Sequence, residues 1–581
     1  MKTKVSEELA STASPIDVTG SEKRPADGLR ADAGGAKARG IAIVTALAGM
    51  LFGASSLAYP FGPDQGLLYY DAREFLRSGA VLYRDVLDHK TPGIYGIHIA
   101  LIALFGEHAW PIRLAEWLAM IPFGFLAARL ATRAGERTPK PYSLLGVFTA
   151  NILYFGFFNY WNSAQCEIWC ALFTLVALWA VLRSSLSALR GAALAGVFAA
   201  LVLAMKPPAS PMVLVILGAV ILAGRARGRE TGHGLRLAAA SAGAFAAGGA
   251  LAGGAILAWF AAKGALPAMV DVLVHANAYY VVHMRSASGT LDTIERIFLA
   301  HHAVDPLSTM LHTGLLIGIL RGGLGVQADA RSRDRYLLAL ALIVAGTLGV
   351  VSQMKFYFYH WGLLVAGEVL LVLVLASDVG PWLANFEPAL PRWRTMPPAW
   401  RSRIAFSIMP VALASTYALP MTFSYEWGEA TLDTVRHVAG AMDRDTFTRR
   451  FRLEGLHFYY HDSEDVGLWL REHAKQGDRV LVRGFHPEIY QISGLSYGGR
   501  FYWDPFLVEP GRAYRRTEWL AQDREEFERV KPRWVVALRG RPGWPGWPEP
   551  TEIQSQAWFE GLGYRPVESL YQYVIMERVT F

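Results

Sequence analysis

The sequence predicts a polytopic α-helical membrane protein with a small α/β domain at its C-terminal end. Three observations predict it. Hydrophobic residues fill 53% of the 581 positions and charged residues only 18%, a composition foreign to soluble globules. The apolar residues gather in runs near the length of about 20 that crosses hydrocarbon. After residue 422 the texture changes to short strand-like runs, turns and amphipathic stretches.

The chain opens with 39 polar residues rich in Ala, Gly and Ser, so 1–39 reads as a disordered cytoplasmic tail. It does not read as a cleaved signal, because the first apolar run begins only near Ile41 and lacks a cleavage site. Runs that qualify as spans, or nearly so, lie near 41–59, 110–131, 143–160, 167–183, 190–205, 208–224, 235–260, 306–320, 336–353, 358–376 and 404–422. Hydropathy therefore predicts about eleven transmembrane helices. "KPP" at Lys206–Pro208 marks a turn between two short spans.

Lys and Arg collect in cytoplasmic loops. Arg30, Lys37 and Arg39 precede the first span; Arg129, Arg133, Arg137 and Lys140 follow the second. Arg225, Arg227, Arg229 and Arg236 follow the sixth, and Arg392, Arg394, Arg401 and Arg403 the tenth. This alternation puts the N-terminus inside and everything after about residue 423 outside. The apolar segment Pro92–Gly106 is short, and counting it as a span would invert every later loop. It is predicted to lie along the outer interface.

In the C-terminal part, "DRVLVRG" (478–484) and "PRWVVALRG" (532–540) read as buried strands, with Trp534 and Trp503 as core. "SEDVGLWLREHAKQG" (463–477) reads as an amphipathic helix with Ser463 as N-cap and Gly477 at its end, and "REEFERV" (524–530) as another helix. Helices alternating with strands predict a small α/β domain.

The net charge of +7 is scattered over short loops, which excludes a nucleic-acid-binding arm. Cys166 and Cys170 stand four apart on a predicted helix, poor geometry for a disulfide. Asp64 is the acid that stands out. It lies at the outer end of the first span, and Gly62-Pro63 before it and Gly66 after it predict a tight turn at the membrane edge. A carboxylate at that depth is costly unless paired or wet, and is functional by default. Asp85 and Asp88 are read as solvated loop carboxylates. His275, His283, His301 and His302, with Asp271 and Asp305, fit no zinc spacing and are read as a solvated external loop. Glu368 inside the tenth span receives no role. Tyr69 and Tyr70 read first as interface packing and second as sugar-stacking rings.

The stretch "PDQGLLYYDAREFLRSGAVLYRDVLDHKTPGIYGI" (63–97) resembles the first external loop of the GT-C membrane glycosyltransferases. The nearest branch is the family-39-like group of protein O-mannosyltransferases and aminoarabinose transferases. The matching positions are Asp64-Gln65, the run from Tyr70 to Asp85, and Asp88-His89-Lys90-Thr91-Pro92. "NSAQCEIW" (162–169), "MKPPA" (205–209), "KFYFYHWGLLVAGEVLLVL" (355–373) and "VLVRGFHPEIYQISGLSYGGRFYWDPF" (480–506) resemble later motifs of the group, in order. Gln65 stands where some members have Glu, Thr91 where a proline is usual, and Lys355 where the group has an Arg, which loses a bidentate fork.

The resemblance implies a GT-C fold with a transmembrane glycosyltransferase domain over 40–422, a catalytic external loop at 60–108 and an extracytoplasmic α/β domain over 423–581. It implies transfer of a sugar from a polyprenyl-phosphate donor to a lipid, glycan or protein acceptor at the outer face of a bacterial cytoplasmic membrane. Asp64 would be the catalytic base. Glu167 would be a second catalytic carboxylate, positioning the acceptor or, with Asp64, holding a divalent ion; no other cofactor is implied. Lys90, Lys206, Arg285 and Lys355 would meet the phosphate, and His89, Tyr70 and His360 would be further substrate-binding positions.

The alternative reading is a transporter or flippase of lipid-linked saccharide, which predicts midplane charges and related halves. The sequence displays no repeats, and its suspicious charges cluster outside the spans. A scaffold using the external domain would leave Asp64 and Lys90 unexplained.

Overall fold

A computed structural model of the chain describes residues 40–132, 138, 140–158, 160–229, 231–283, 330–355, 357–385, 427–453, 457–540 and 549–579. Arg285, His301, His302, Asp305, the tail 1–39 and the expected spans at 306–320 and 404–422 lie outside the described residues.

The helices run in order α1 (Gly40–Ala58), α2 (Pro63–Ser78), α3 (Pro92–Phe105), α4 (Trp110–Ala131), α5 (Lys140–Phe155), α6 (Cys166–Leu182), α7 (Ala188–Met205), α8 (Ser210–Arg229) and α9 (Gly234–Ala262). Then come α10 (Ala330–Gln353), α11 (Val365–Asn385), α12 (Trp427–Val438), α13 (Tyr460–His473) and α14 (Arg516–Val530). Among the described residues, seven helices are long and apolar enough to cross a membrane: α1, α4, α7, α8, α9, α10 and the 3-10/α segment Phe358–Ser377. Two further expected spans, α5 and α6, are helices of only 16 and 17 residues. Pro92–Phe105 is also a short apolar helix.

Water does not drive helices together inside a bilayer, so close backbone packing must do so. At the α7–α9 crossing a Cβ added to Gly196 would collide with the Phe245 carbonyl, and one on Gly248 with the Ala193 carbonyl. Gly124 and Gly146 let α4 and α5 meet in the same way. Gly196→Val therefore forces α7 off α9, at an expected cost of about 1–3 kcal/mol. A lowered midpoint in thermal unfolding of detergent-purified protein checks this; an unchanged midpoint contradicts the crossing.

The C-terminal part holds a four-stranded sheet in the order β3-β4-β6-β5, after a short β1 (Arg452–Leu453) and β2 (Phe458–Tyr459) pair. The strands of the sheet are β3 (Val480–Val482), β4 (Trp534–Leu538), β5 (Tyr564–Leu570) and β6 (Tyr573–Arg578). β3 and β4 are parallel and joined through α14; β4 and β6, and β5 and β6, are antiparallel. Trp503 and Trp534 are core residues. The expected 524–530 helix is the second half of α14. The expected 463–477 helix starts earlier, at Tyr460, and ends at His473. Ser463 is not its cap, because the Ser463 hydroxyl instead pairs with Tyr573 Oη at 2.9 Å.

One buried ion pair fastens α14 to the sheet: Arg483 Nη2 lies 2.7 Å from Asp523 Oδ2, with both side chains sealed from solvent. Removing one partner strands the other charge. Arg483→Met is expected to destabilise the domain by about 3–5 kcal/mol, read from tryptophan-fluorescence unfolding of the full chain. A loss below about 1 kcal/mol would place Asp523 in a wetter site than the structure gives it.

Candidate active site

Three segments meet beneath the C-terminal sheet. The first is the start of α2. Gly62 is extended, Pro63 occupies the first helical position, and the Gly62 N–H donates to Gln65 Oε1 at 3.0 Å. This proline is pre-set for a helix start and has no N–H to lose. Asp64 therefore sits in the first turn of a helix, not in the tight turn that Gly62-Pro63 suggested. Gln65 is no second acid: its amide donates to the carbonyls of Trp161 (2.9 Å) and Ser163 (2.7 Å) and ties α2 to the approach to α6.

The second segment is the 79–91 loop. Tyr83 Oη donates to the Lys90 carbonyl at 2.9 Å, and Thr91 Oγ1 donates to the Met205 carbonyl at 2.7 Å. Gly93 rests against the backbone of Ala204 and Met205. These contacts bring Lys90 beside the Lys206 break. The third segment is the 3-10 turn Phe358–Leu364 with the residues just before it.

Lys90 Nζ lies 2.8 Å from Asp64 Oδ1 and 3.6 Å from Asp88 Oδ2. Asp88 is fully buried, so its reading as a solvated carboxylate is corrected. It also meets His89 Nδ1 at 3.0 Å and accepts from Tyr95 Oη at 2.6 Å. Burial alone would raise the Asp88 carboxyl, but Lys90, His89 and Tyr95 outweigh it and hold the carboxyl below the usual range. Burial likewise works against the Lys90 ammonium, and Asp64 and Asp88 outweigh it, so Lys90 stays charged. Asp71, two turns along α2, is buried beside Asp88 and Tyr502; burial pushes its carboxyl well above the usual range. The charge of that acid pair therefore resides on Asp88. Burial lowers the His89 imidazole to about 4, so it is neutral at physiological pH.

Asp64 has one oxygen on Lys90 and no hydrogen-bond partner for the other among the described residues. Across the cleft Glu167, buried in the first turn of α6, pairs with Lys206 Nζ. Lys206 also faces the Tyr359 ring at 5.3 Å, and Gly362 lies against Glu167 Cβ. Trp161 lies against Gly62 on one side and meets the Tyr359 ring edge-on on the other.

Lys355 has no carboxylate within ion-pair distance among the described residues. Its Nζ sits 3.7 Å from the centroid of Tyr280, whose ring also carries Arg512 at 5.0 Å. Tyr280 Oη and Tyr357 Oη are 3.0 Å apart. Burial lowers the Lys355 ammonium well below its ordinary range, and Lys206, Arg512 and Lys90 add to the effect. Of these four cations, Lys90 is paired with Asp64 and Asp88, Lys206 with Glu167 and Arg512 with Glu509 at 2.7 Å. Lys355 alone lacks an ion pair among the described residues, a perturbed cation in a cleft that marks a candidate anion site.

Of the expected substrate-binding residues, Lys90, His89, Lys206 and Lys355 surround this cleft. His360 is buried beside Tyr357 and Tyr359. Tyr70 is elsewhere: its hydroxyl accepts from the Tyr497 N–H at 3.0 Å and its ring stacks on Tyr502, inside the seam between α2 and the C-terminal sheet. Arg512, Asp88 and Tyr280 were missed. Arg512 sits in a turn with no motif around it, whereas Asp88, two residues before Lys90, carried a signal. The 271–283 stretch is helical and not a loop, with His275 and His283 exposed as expected. No three His, Cys, Asp or Glu side chains converge on a metal position among the described residues. Asp64 and Glu167 are each held by a lysine, which does not suit a divalent ion. Both cysteines are free and buried.

An apolar cavity of about 390 Å³ opens beside this cluster. Thr91, Pro92 and Pro207, the neighbours of Lys90 and Lys206, form one end; the small residues of α7 and α9 form its walls.

No family model matches the sequence, and no curated protein is similar to it in sequence. Among solved structures, the chain is similar to ArnT from Cupriavidus metallidurans bound to undecaprenyl phosphate. The identity is 12% and the TM-score 0.52, over 93% of this chain and 98% of that one. The apo state of the same protein gives a TM-score of 0.50 at 12% identity, over 93% and 97%. A mycobacterial arabinofuranosyltransferase, AftD, is matched over 93% of this chain and 42% of that one, at 16% identity and a TM-score of 0.39.

Proposed function

We propose that this chain, whose fold is that of the GT-C membrane glycosyltransferases, transfers a sugar from a polyprenyl-phosphate donor to an acceptor hydroxyl at the outer face of a bacterial cytoplasmic membrane. One observation carries the reading: a buried carboxylate, Asp64, with a free oxygen faces a cluster of cations that includes the unpaired Lys355.

The reaction follows from those charges. The acceptor hydroxyl gives its proton to the free oxygen of Asp64 as its oxygen bonds to the anomeric carbon. The bond from that carbon to the phosphate oxygen breaks, and its electron pair leaves with the lipid phosphate. The sugar carbon passes through oxocarbenium character. Lys355 and Arg512, with Lys90 and Lys206 behind them, receive the departing charge in a site already shaped for it. Glu167, fixed by Lys206, is placed to orient the acceptor. The cavity walled by α7 and α9 suits an isoprenoid tail, because it is apolar and reaches Thr91 and Pro207, the chain neighbours of the two lysines. The ArnT structure with undecaprenyl phosphate supports this class of lipid.

The test is direct. Purified protein in proteoliposomes is given a polyprenyl-phosphate-linked sugar and candidate acceptors, and glycosidic product is followed by mass spectrometry. Product formed with release of polyprenyl phosphate supports the reading. Sugar appearing across the bilayer still attached to its lipid would favour a carrier instead.

A further inference from the structure

A second cavity, of about 560 Å³, lies on the far side of the 57–60 segment from the cleft. It is bounded by the outer end of α1, the start of α4, α12, the Arg444–Thr448 turn and the start of α13. Tyr59, Phe447 and Tyr460 of its lining belong to an aromatic cluster with Tyr160 and Phe451.

Its polar lining has one sign. His108, His437, Arg444, Tyr460 and Gln491 face it, and no Asp or Glu lines it among the described residues. Arg444 gives Nε (3.0 Å) and Nη2 to Glu464, which leaves Nη1 without a protein partner among the described residues. His437 uses Nδ1 on the Met442 carbonyl at 3.1 Å and lies flat on Phe447, so Nε2 is free. Tyr460 is buried, and its hydroxyl bonds to nothing else among the described residues. The set amounts to one guanidinium, paired with Glu464 through its other nitrogens, and several polar groups of Tyr460, Gln491, His437 and His108 around empty volume.

The flanks of the cavity are oily. α12 stands against the last turns of α1: Trp427 stacks on Phe52 at 3.7 Å, and Thr431 Oγ1 donates to Ser55 Oγ at 3.1 Å. On its other face Leu432, Val435 and Val438 form a stripe that is 49–77% exposed. Val44, Leu47 and Leu51 continue exposed down α1, and Trp110 and Leu118 down α4. A stripe of that kind beside a spanning helix suits acyl chains, and the cavity takes Val438, the last residue of the stripe, into its lining.

We propose that this cavity binds the anionic phosphate headgroup of an outer-leaflet membrane lipid, whose chains lie along the exposed faces of α1 and α12. Free Arg444 Nη1 takes a phosphate oxygen. Tyr460 Oη and the Gln491 amide take the others, and His437 Nε2 and His108 hydrogen-bond the remaining polar groups. The site is independent of the sugar-transfer cleft.

The full chain, purified in a nonionic detergent, is titrated with phosphatidylglycerol, phosphatidylcholine or soluble glycerol phosphate, and bound species are counted by native mass spectrometry. The expected result is one saturable phosphatidylglycerol, held about tenfold more tightly than phosphatidylcholine. Glycerol phosphate, lacking chains, is retained far more weakly. Arg444→Gln lowers the affinity about tenfold. Because that change also strands Glu464, the double variant His108→Gln/His437→Gln provides a milder probe, with an expected loss of about threefold. Lys355→Met, in the cleft, leaves the retained lipid unchanged. The proposal is overturned if phosphatidylcholine binds as tightly as phosphatidylglycerol, or if glycerol phosphate matches the lipid. Wild-type affinity in the double variant, or loss of the lipid in Lys355→Met, overturns it equally.

Discussion

Asp64→Asn is expected to lower the turnover of sugar transfer by about a thousandfold, within the range that general-base catalysis supplies, while donor binding changes little. The amide keeps the shape of the side chain and its place in the first turn of α2. It cannot take the acceptor proton, and it weakens the partner of Lys90, which retains Asp88 at 3.6 Å. The substitution thus separates chemistry from architecture. The check is single-turnover product formation, with donor affinity and thermal midpoint measured on the same preparation. Full turnover in the variant removes Asp64 from the mechanism. A collapsed midpoint would instead mark the Asp64–Lys90 pair as a structural brace.

Lys355→Met should produce the opposite pair of effects. Its ammonium is crowded by Lys206, Arg512 and Lys90 and has no carboxylate at ion-pair distance among the described residues, Asp64 acting on it only from farther off. Loss of a charge-assisted contact to a phosphate costs about 1.5–3 kcal/mol, so the Michaelis constant for the donor should rise about ten- to a hundredfold. Removing the same charge relieves repulsion in the empty protein, and the thermal midpoint should hold or rise. A gain in stability bought with function is what a site shaped for an absent anion predicts. An unchanged Michaelis constant, or a fall in the midpoint, would show that Lys355 is part of the scaffold.

Much of this architecture was legible before any coordinates. The positions of the seven long apolar helices among the described residues followed from composition, because a helix in hydrocarbon must satisfy every backbone group internally and show apolar side chains outward. Asp64 and Lys90 were legible because a charge beside a span is conspicuous. What escaped were residues whose meaning is set by distant partners. Gly62-Pro63 reads equally as a turn or a helix start, and the choice fell to Gln65, whose amide is anchored on Trp161 and Ser163. Asp88 reads as a wet loop residue because nothing nearby in sequence announces that Trp503 and Arg500 cover its loop. Arg512 has no local pattern at all; Tyr280, from another part of the chain, gives it a place. Tyr70 looked available for substrate, and it became packing once the C-terminal sheet closed over α2.

That closure has a consequence for the order of synthesis. Trp503 Nε1 donates to the Leu87 carbonyl at 2.7 Å, Arg73 Nη1 to the Tyr490 carbonyl at 2.8 Å, and Gly66 lies against the backbone of Glu488. Asp64 and Lys90 leave the ribosome early, yet the clamps that hold their segments are translated hundreds of residues later. A nascent chain halted before residue 503 carries the reactive groups without their frame. If Asp64 and Lys90 act as proposed, sugar transfer has to wait for the C-terminal sheet to be made and docked.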